Sequence, residues 1–280
     1  MRFAINVPNF GEYSDGRALA ELAHEAEDAG WDGFFLWDHI GADWPAPVAD
    51  PWVLLAAMAM TTQRIRLGTL VTPLPRRRPW KLARETATLD QLSGGRLILG
   101  VGIGSDFGRE YSAFGEAADA KLHGAMLDEG LDVLTGLWRG EPFSYSGQHY
   151  TVREARFRPT PTQTPRIPIW VAGMWPNKAP FRRAARWDGV VPMRADEQPM
   201  TPDDIRAMLA YIHDHRTSAD PFEVPLAGFT GHEDPAAATA KLDAYAAAGV
   251  TWWEEGFLPG DTVAAVRERI HAGPPHTSRG

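Results

Sequence analysis

The chain has 280 residues, 44% hydrophobic and 23% charged, which suits one large globular domain. Its 36 acidic and 28 basic residues leave a net charge of −8, which offers no overall pull toward nucleic acid or an anionic membrane. The absence of cysteine excludes disulfides, cysteine metal ligands and thiol catalysis, and the opening Met1–Asn6 lacks a signal-peptide core, so the cytoplasm is the expected location.

Short apolar runs alternate with amphipathic helical patterns along the chain. Phe3 to Val7 reads as a first strand, and Asp15 caps a helix carrying Leu19, Leu22, Ala23 and Ala26 on one face, stopped at Gly30. Gly33 to Trp37 is a second strand, ending at Asp38-His39. Asp50-Pro51 opens a helix through Met60. Ile65 to Val71 is the third strand, Pro79 opens a helix that ends at Ser93-Gly94-Gly95, and Arg96 to Val101 is the fourth strand. Leu122, Met126, Val133, Leu134 and Leu137 mark the fourth helix.

Gly140 to Pro168 interrupts the alternation with a hairpin around Ser146-Gly147 and four spaced prolines. The alternation then resumes. Strands are expected at Ile169–Ala172, Gly189–Pro192, Phe222–Phe229 and Val250–Trp253. Helices are expected from about Asn177, from Thr201-Pro202, from Asp234-Pro235 and around Val263–Ile270. Eight strand–helix units predict an α/β fold: a single (β/α)₈ barrel over 1–272, with an insertion between helix 4 and strand 5 and a flexible tail over 273–280. Such a barrel builds its site from loops at the carboxyl ends of the strands, so polar or glycine residues just after an apolar run become candidates.

Leu89–Arg96 followed by Leu99–Gly104, Glu110–Gly115, Ala29–Gly33, Asp38-His39, Gly68–Pro73, Gly136–Trp138, Pro168–Gly173 and Trp187–Gly189 together resemble the bacterial-luciferase-like family. The resemblance implies a TIM barrel with FMN or coenzyme F420 at its top, and either oxygen activation on reduced FMN or hydride transfer through F420. It also implies a homodimer contacting through the helices after strands two and three, where Trp52 and Trp80 are candidates. A separate flavin reductase is implied if FMN is used.

His39 is the candidate catalytic residue, since its ordinary pKa lies near neutrality and it follows the second strand at the rim. The family places a histidine of this Asp38-His39 pair beside the cofactor ring; the bland reading is a histidine that satisfies a loop carbonyl. Trp44 falls near a tryptophan that F420-using relatives carry beside the site, one residue further along, and packing explains it equally. Thr69 and Leu70 match a bulge with a non-prolyl cis bond, expected between those two residues, that backs the central ring. Gly102 and Gly104 are read as letting a planar ring approach the backbone, because the spacing does not complete a dinucleotide fingerprint. Ala172, Gly173, Met174 and Trp175, with Asn177 heading a helix, match the loop that holds the cofactor phosphate. Asn6, ending the first strand, is a candidate for substrate.

Arg76-Arg77-Arg78 can grip a phosphate or an acidic tail, or be a solvated loop. Glu254-Glu255, expected just after strand eight, reach the site or cap the rim. The Gly140–Pro168 insertion is the candidate cover, because the Thr230–Asp234 loop is short. No metal site is expected. The leading reading is a flavin- or F420-dependent oxidoreductase acting on a small organic molecule. A non-catalytic flavin-binding carrier or sensor is the alternative, and a metal-dependent barrel hydrolase is a third.

Overall fold

The computed structural model describes every residue except Ala42, His232, Leu258, Pro259, Arg279 and Gly280. His232 of the short Thr230–Asp234 loop and the last two residues of the expected tail therefore lie outside the described residues. In chain order the elements are β1 (Arg2–Val7), α1 (Gly16–Asp28), β2 (Gly33–Leu36), α2 (Pro51–Thr61), β3 (Arg66–Pro73), α3 (Pro79–Leu92), β4 (Leu97–Gly102) and α4 (Ala120–Trp138). After a hairpin of β5 (Phe143–Ser146) and β6 (Thr151–Ala155) come β7 (Ile169–Trp175), α5 (Lys178–Ala184), β8 (Gly189–Arg194), α6 (Pro202–His213), β9 (Pro225–Gly228), α7 (Pro235–Ala248), β10 (Trp252–Gly256) and α8 (Val263–His271).

Eight parallel strands follow one another in the order β8-β7-β4-β3-β2-β1-β10-β9, and a bridge between Gly189 and Glu223 brings the two ends together. This is the expected (β/α)₈ barrel. Local chemistry sets the helix starts: Asp15 accepts from the Arg17 and Ala18 amides, Asp50 from Trp52 and Val53, and Thr201 and Asp204 form a reciprocal capping box.

The strand ends differ from the sequence reading. β3, β4, β7 and β8 run one or more residues further toward their carboxyl ends, and Glu254 and Glu255 lie inside β10 rather than after it. Each extension is paired to a neighbouring strand, and that pairing holds residues in the sheet whatever their polarity.

The insertion is not a cover. Glu129 of α4 accepts from the amides of Gln148, His149 and Tyr150, which fastens the hairpin to the barrel's outer wall. Asp90 accepts from Thr162 and Gln163, and the Gln163 amide reaches the carbonyl of Leu97, the first residue of β4. The Thr162–Gln163 stretch therefore runs past the amino end of the barrel, while Tyr150 of the hairpin packs outside the wall against Trp80, 6.3 Å between ring centroids. Part of the tail is tied down as well, since the Ser278 amide donates to Asp243 at 3.0 Å.

Candidate functional site

Alternation along the strands sends Ala4, Phe35, Leu70, Ile98, Trp170 and Trp252 into one lumenal cluster, separate from the larger core under the helices. Phe35, Trp170 and Trp252 interlock with ring centroids 5.6 to 6.0 Å apart and fill the lower barrel. Two residues further up β1 and β10 the lumen turns polar. Asn6 donates to Glu254 Oε2 at 2.9 Å, while Asn6 Oδ1 and Glu254 Oε1 are buried without a partner. Burial, opposed only by that amide bond, pushes the Glu254 carboxyl up to about 7. Asn6, expected to face substrate, is thus joined to a neutral-range acid that sequence reasoning did not single out for the lumen.

His39 stands at the carboxyl end of β2 in a tightly specified loop. Asn9 accepts from the His39 amide at 3.0 Å and donates to the His39 and Ala49 carbonyls. Its ring Nδ1 lies 3.2 Å from Glu110 Oε1, which also accepts from the Ile40 and Gly41 amides at 2.8 and 2.9 Å. The other Glu110 oxygen pairs with Arg76. Burial raises the Glu110 carboxyl, but the His39 and Gly41 hydrogen bonds and the Arg76 charge prevail and hold it at about 2. An ionised carboxylate only accepts, so the neutral imidazole carries its proton on Nδ1 and leaves Nε2 as the lone pair.

Arg76 and Arg77 do not form the solvated, phosphate-gripping run that their neighbours in sequence suggest. The Arg76 side chain is 6% exposed and also reaches the Asp38 carbonyl and carboxylate at 2.7 and 3.3 Å, and Arg77 meets both Asp38 oxygens at 2.6 and 2.7 Å. Only Arg78 is exposed. Asp38, 3% exposed, also accepts from Thr72, whose hydroxyl lies 2.9 Å from that of Thr69. One continuous chain of polar contacts thus joins the end of β3 to the His39 loop.

That end of β3 carries the expected bulge: Thr69 pairs with Leu99 and Thr72 with Val101, so β3 has one residue more than β4 over this stretch. The cis peptide lies between Leu70 and Val71, not between Thr69 and Leu70. The extra residue falls within the pair that follows Thr69, which fixes the bulge one position later. The glycines of β4 answer to this bulge. A Cβ on Gly100 would lie 2.3 Å from the Thr69 carbonyl, one on Gly102 3.0 Å from Val71, and one on Gly104, at φ +70°, 2.7 Å from the Tyr111 hydroxyl. Their bareness admits the protein's own bulge and Tyr111.

Around the carboxyl end of the barrel stand large apolar side chains. Trp44 packs 4.5 Å from Phe10, 4.9 Å from His39 and 6.0 Å from Phe107. Across the rim Met174 and Met193 are register partners, 46% and 50% exposed. Ala172 is half-buried, and Gly173 faces Pro180 and Phe181 of α5, where a Cβ would come within 3.0 Å. Lys178 lies 3.8 Å over the Trp175 ring, and the Asn177 side chain makes no capping bond. Trp52, a candidate dimer contact, is 5% exposed and belongs to the core.

A family model described as luciferase-like monooxygenase matches residues 1–275. The chain is 35% identical over 164 residues to an F420-dependent glucose-6-phosphate dehydrogenase of Microbacterium testaceum, covering 56% of this chain and 47% of that one. It is 32% identical over 164 residues to the oxygenase component of the flavin-dependent trigonelline monooxygenase of Acinetobacter baylyi, covering 58% and 44%. The chain spans less than two thirds of the length of the curated relatives it matches. The structure of the F420-dependent tetrahydromethanopterin reductase of Methanopyrus kandleri superposes with a TM-score of 0.78 at 19% identity over 97% of this chain and 98% of that one, a likeness of fold. By its barrel, its bulged third strand and the family match along almost its whole length, the chain belongs to the luciferase-like monooxygenase family.

Proposed function

We propose that this chain is an oxidoreductase using a flavin-type coenzyme, either FMN with oxygen or F420 with hydride exchange, on a small organic substrate. The observation that carries the reading is His39. Its proton is fixed on Nδ1 by a buried, ionised Glu110, and its ring stands at the open barrel end, linked to the β3 bulge through Asp38 and Thr72. The residues present fit such a ring: the bulge projects Leu70 and Val71 toward the lumen, and buried orphan oxygens on Asn6 and Glu254 lie below the mouth. When bound, the coenzyme supplies the two-electron chemistry, or in reduced FMN the reaction with oxygen.

In this reading Leu70 backs the ring and Thr69 ties the bulge to Asp38. Gly102 and Gly104 shape the wall beside it. The Ala172–Trp175 end of β7, with Lys178 beside it, holds the phosphate. Trp44 and Phe10 shield the rim from water, with Trp44 and Asn6 toward substrate. Neutral His39 accepts a proton at Nε2 from a substrate hydroxyl, and protonated His39 returns one to a carbonyl oxygen.

A homodimer belongs to the proposal. Val53 and Met60 of α2 are 69% and 66% exposed, and Trp80 of α3 is 37% exposed, which is an apolar face where the family expectation puts the contact. A separate reductase for FMN is suggested by the relative named as an oxygenase component. A cytoplasmic site is also proposed; among the described residues no helix is long and apolar enough to cross a membrane.

The test is titration of the apoprotein with FMN and with F420, followed by fluorescence, together with His39→Ala. We expect one coenzyme to bind, and the variant to lose roughly 10²–10⁴-fold in turnover while coenzyme affinity holds. Uptake of neither coenzyme refutes the reading. Turnover insensitive to His39→Ala removes His39 from catalysis, and coenzyme binding without any turnover favours a carrier or sensor.

A further inference from the structure

We propose that the substrate of this site is a neutral, largely apolar small molecule with a single carbonyl or hydroxyl for His39, and not a sugar phosphate or other anion. The inference rests on the oxidoreductase reading of the mouth and adds the substrate class.

The first observation is what lines the rim. Single apolar side chains are commonly exposed, but a contiguous group of them marks a binding surface. Here Ile40, Phe107, Met174, Met193 and Phe229 are 46 to 70% exposed, and every one follows or ends a barrel strand at its carboxyl side. Met174 and Met193 sit side by side on paired strands, on the face that Trp170 and Val191 turn to the lumen. Phe229 stands opposite Gly256, where a Cβ would touch its ring at 3.4 Å. Methionine adapts its shape to irregular apolar ligands.

The second observation is charge. A dianionic phosphate is held by free arginine or lysine heads. Among the described residues, most cations of this rim are already engaged, and the exposed Arg78 lies in a hollow with Glu116, His123 and Tyr150 rather than beside His39. Arg194 is held by Asp196 and Asp204 at 2.8 Å each and Arg76 and Arg77 by Asp38 and Glu110, while Arg109 makes a loose, exposed pair with Asp43 at 3.7 Å. Lys178 lies on the Trp175 and Tyr211 faces, with no carboxylate partner. It follows the end of β7, where the proposed reading puts the coenzyme's phosphate. Stripping Arg194 from two carboxylates to serve a substrate anion would leave those acids facing the same anion. Burial of an uncharged body against the methionines and aromatics has no such opposing term, and gains roughly 25 cal/mol per Å².

The experiment follows tryptophan fluorescence while apoprotein and coenzyme-loaded protein are titrated with acetophenone, with glucose-6-phosphate and with inorganic phosphate. Acetophenone should quench both forms saturably, neither anion should quench the loaded protein, and glucose-6-phosphate should not displace acetophenone from the apoprotein, where a phosphate can enter only the Lys178 site. Met193→Arg should weaken acetophenone about tenfold or more, and Met193→Leu should stay within about threefold. Met193 is half exposed, so both variants keep the fold, which circular dichroism checks. Saturable binding of glucose-6-phosphate to the loaded protein, or an acetophenone response that is linear or indifferent to Met193→Arg, overturns the proposal. Failure to take up either coenzyme sinks the oxidoreductase reading alone, because the apoprotein titrations still decide the ligand class.

Discussion

Glu254 offers the most direct quantitative check on how the barrel interior is read. It is 1% exposed and receives one hydrogen bond, from Asn6. In the unfolded chain its carboxyl ionises around 4.5, and burial moves this to about 7 in the fold. As pH rises through that interval, the unfolded chain releases a proton that the folded chain retains. Stability therefore falls with rising pH between the two values and levels off above the upper one. At 1.36 kcal/mol per pH unit, the loss attributable to this one carboxyl is roughly 3 kcal/mol. Glu254→Gln has nearly the same shape and does not titrate. Urea unfolding of wild type and variant, compared at pH 5 and pH 8, should show the variant gaining on wild type by about 2.5 kcal/mol, since pH 5 already lies above the unfolded value. Other carboxylates titrate in both proteins and cancel in the difference. Parallel pH profiles for the two proteins would show that Glu254 ionises normally and would refute its assignment to a dry lumen.

Other outcomes follow from the same geometry. Arg76→Ala should destabilise the fold by about 3–5 kcal/mol, since it strands Glu110 as a buried charge, and should shift the His39 ring signals in a histidine-selective NMR spectrum. An unmoved spectrum would separate Arg76 from the histidine. Gly100→Ala forces a methyl to 2.3 Å from the Thr69 carbonyl and should lower stability by about 1–3 kcal/mol, read by thermal unfolding. Replacing Val53 and Met60 together by Glu should shift sedimentation toward the monomer without changing the monomer's circular dichroism; an unchanged distribution would place the contact elsewhere.

The alternation of strands and helices was legible because its punctuation is local. Asp15, Asp50 and Thr201 cap helices with their own side chains, and Gly249 closes α7 at φ +109°. Those features need no knowledge of the rest of the fold. The carboxyl ends of the strands were less legible, because there the backbone is held by neighbours distant in sequence. Glu254 looks like a rim residue until β1 is seen to pair alongside it. Glu110 escaped assignment for a similar reason. It meets His39 across 71 residues, from a segment of short turns with no periodicity, and its place in the Glu110–Gly115 family match was the one available signal. The three adjacent arginines part company because two find buried carboxylates and the third does not, a difference no spacing rule encodes.

The cylinder of strands has a seam. Between β8 and the chain leading into β9, the backbone bonds among the described residues are those of Val190 with Glu223 and of Glu223 with Asp188, all near the amino end. Above them the two strands stand next to each other without a ladder, and Met193 and Phe229 flank the gap. Breathing of the sheet costs least where hydrogen bonds are fewest, so this slit is where the wall parts first. A molecule too broad for the circular aperture would find its extra width on that side.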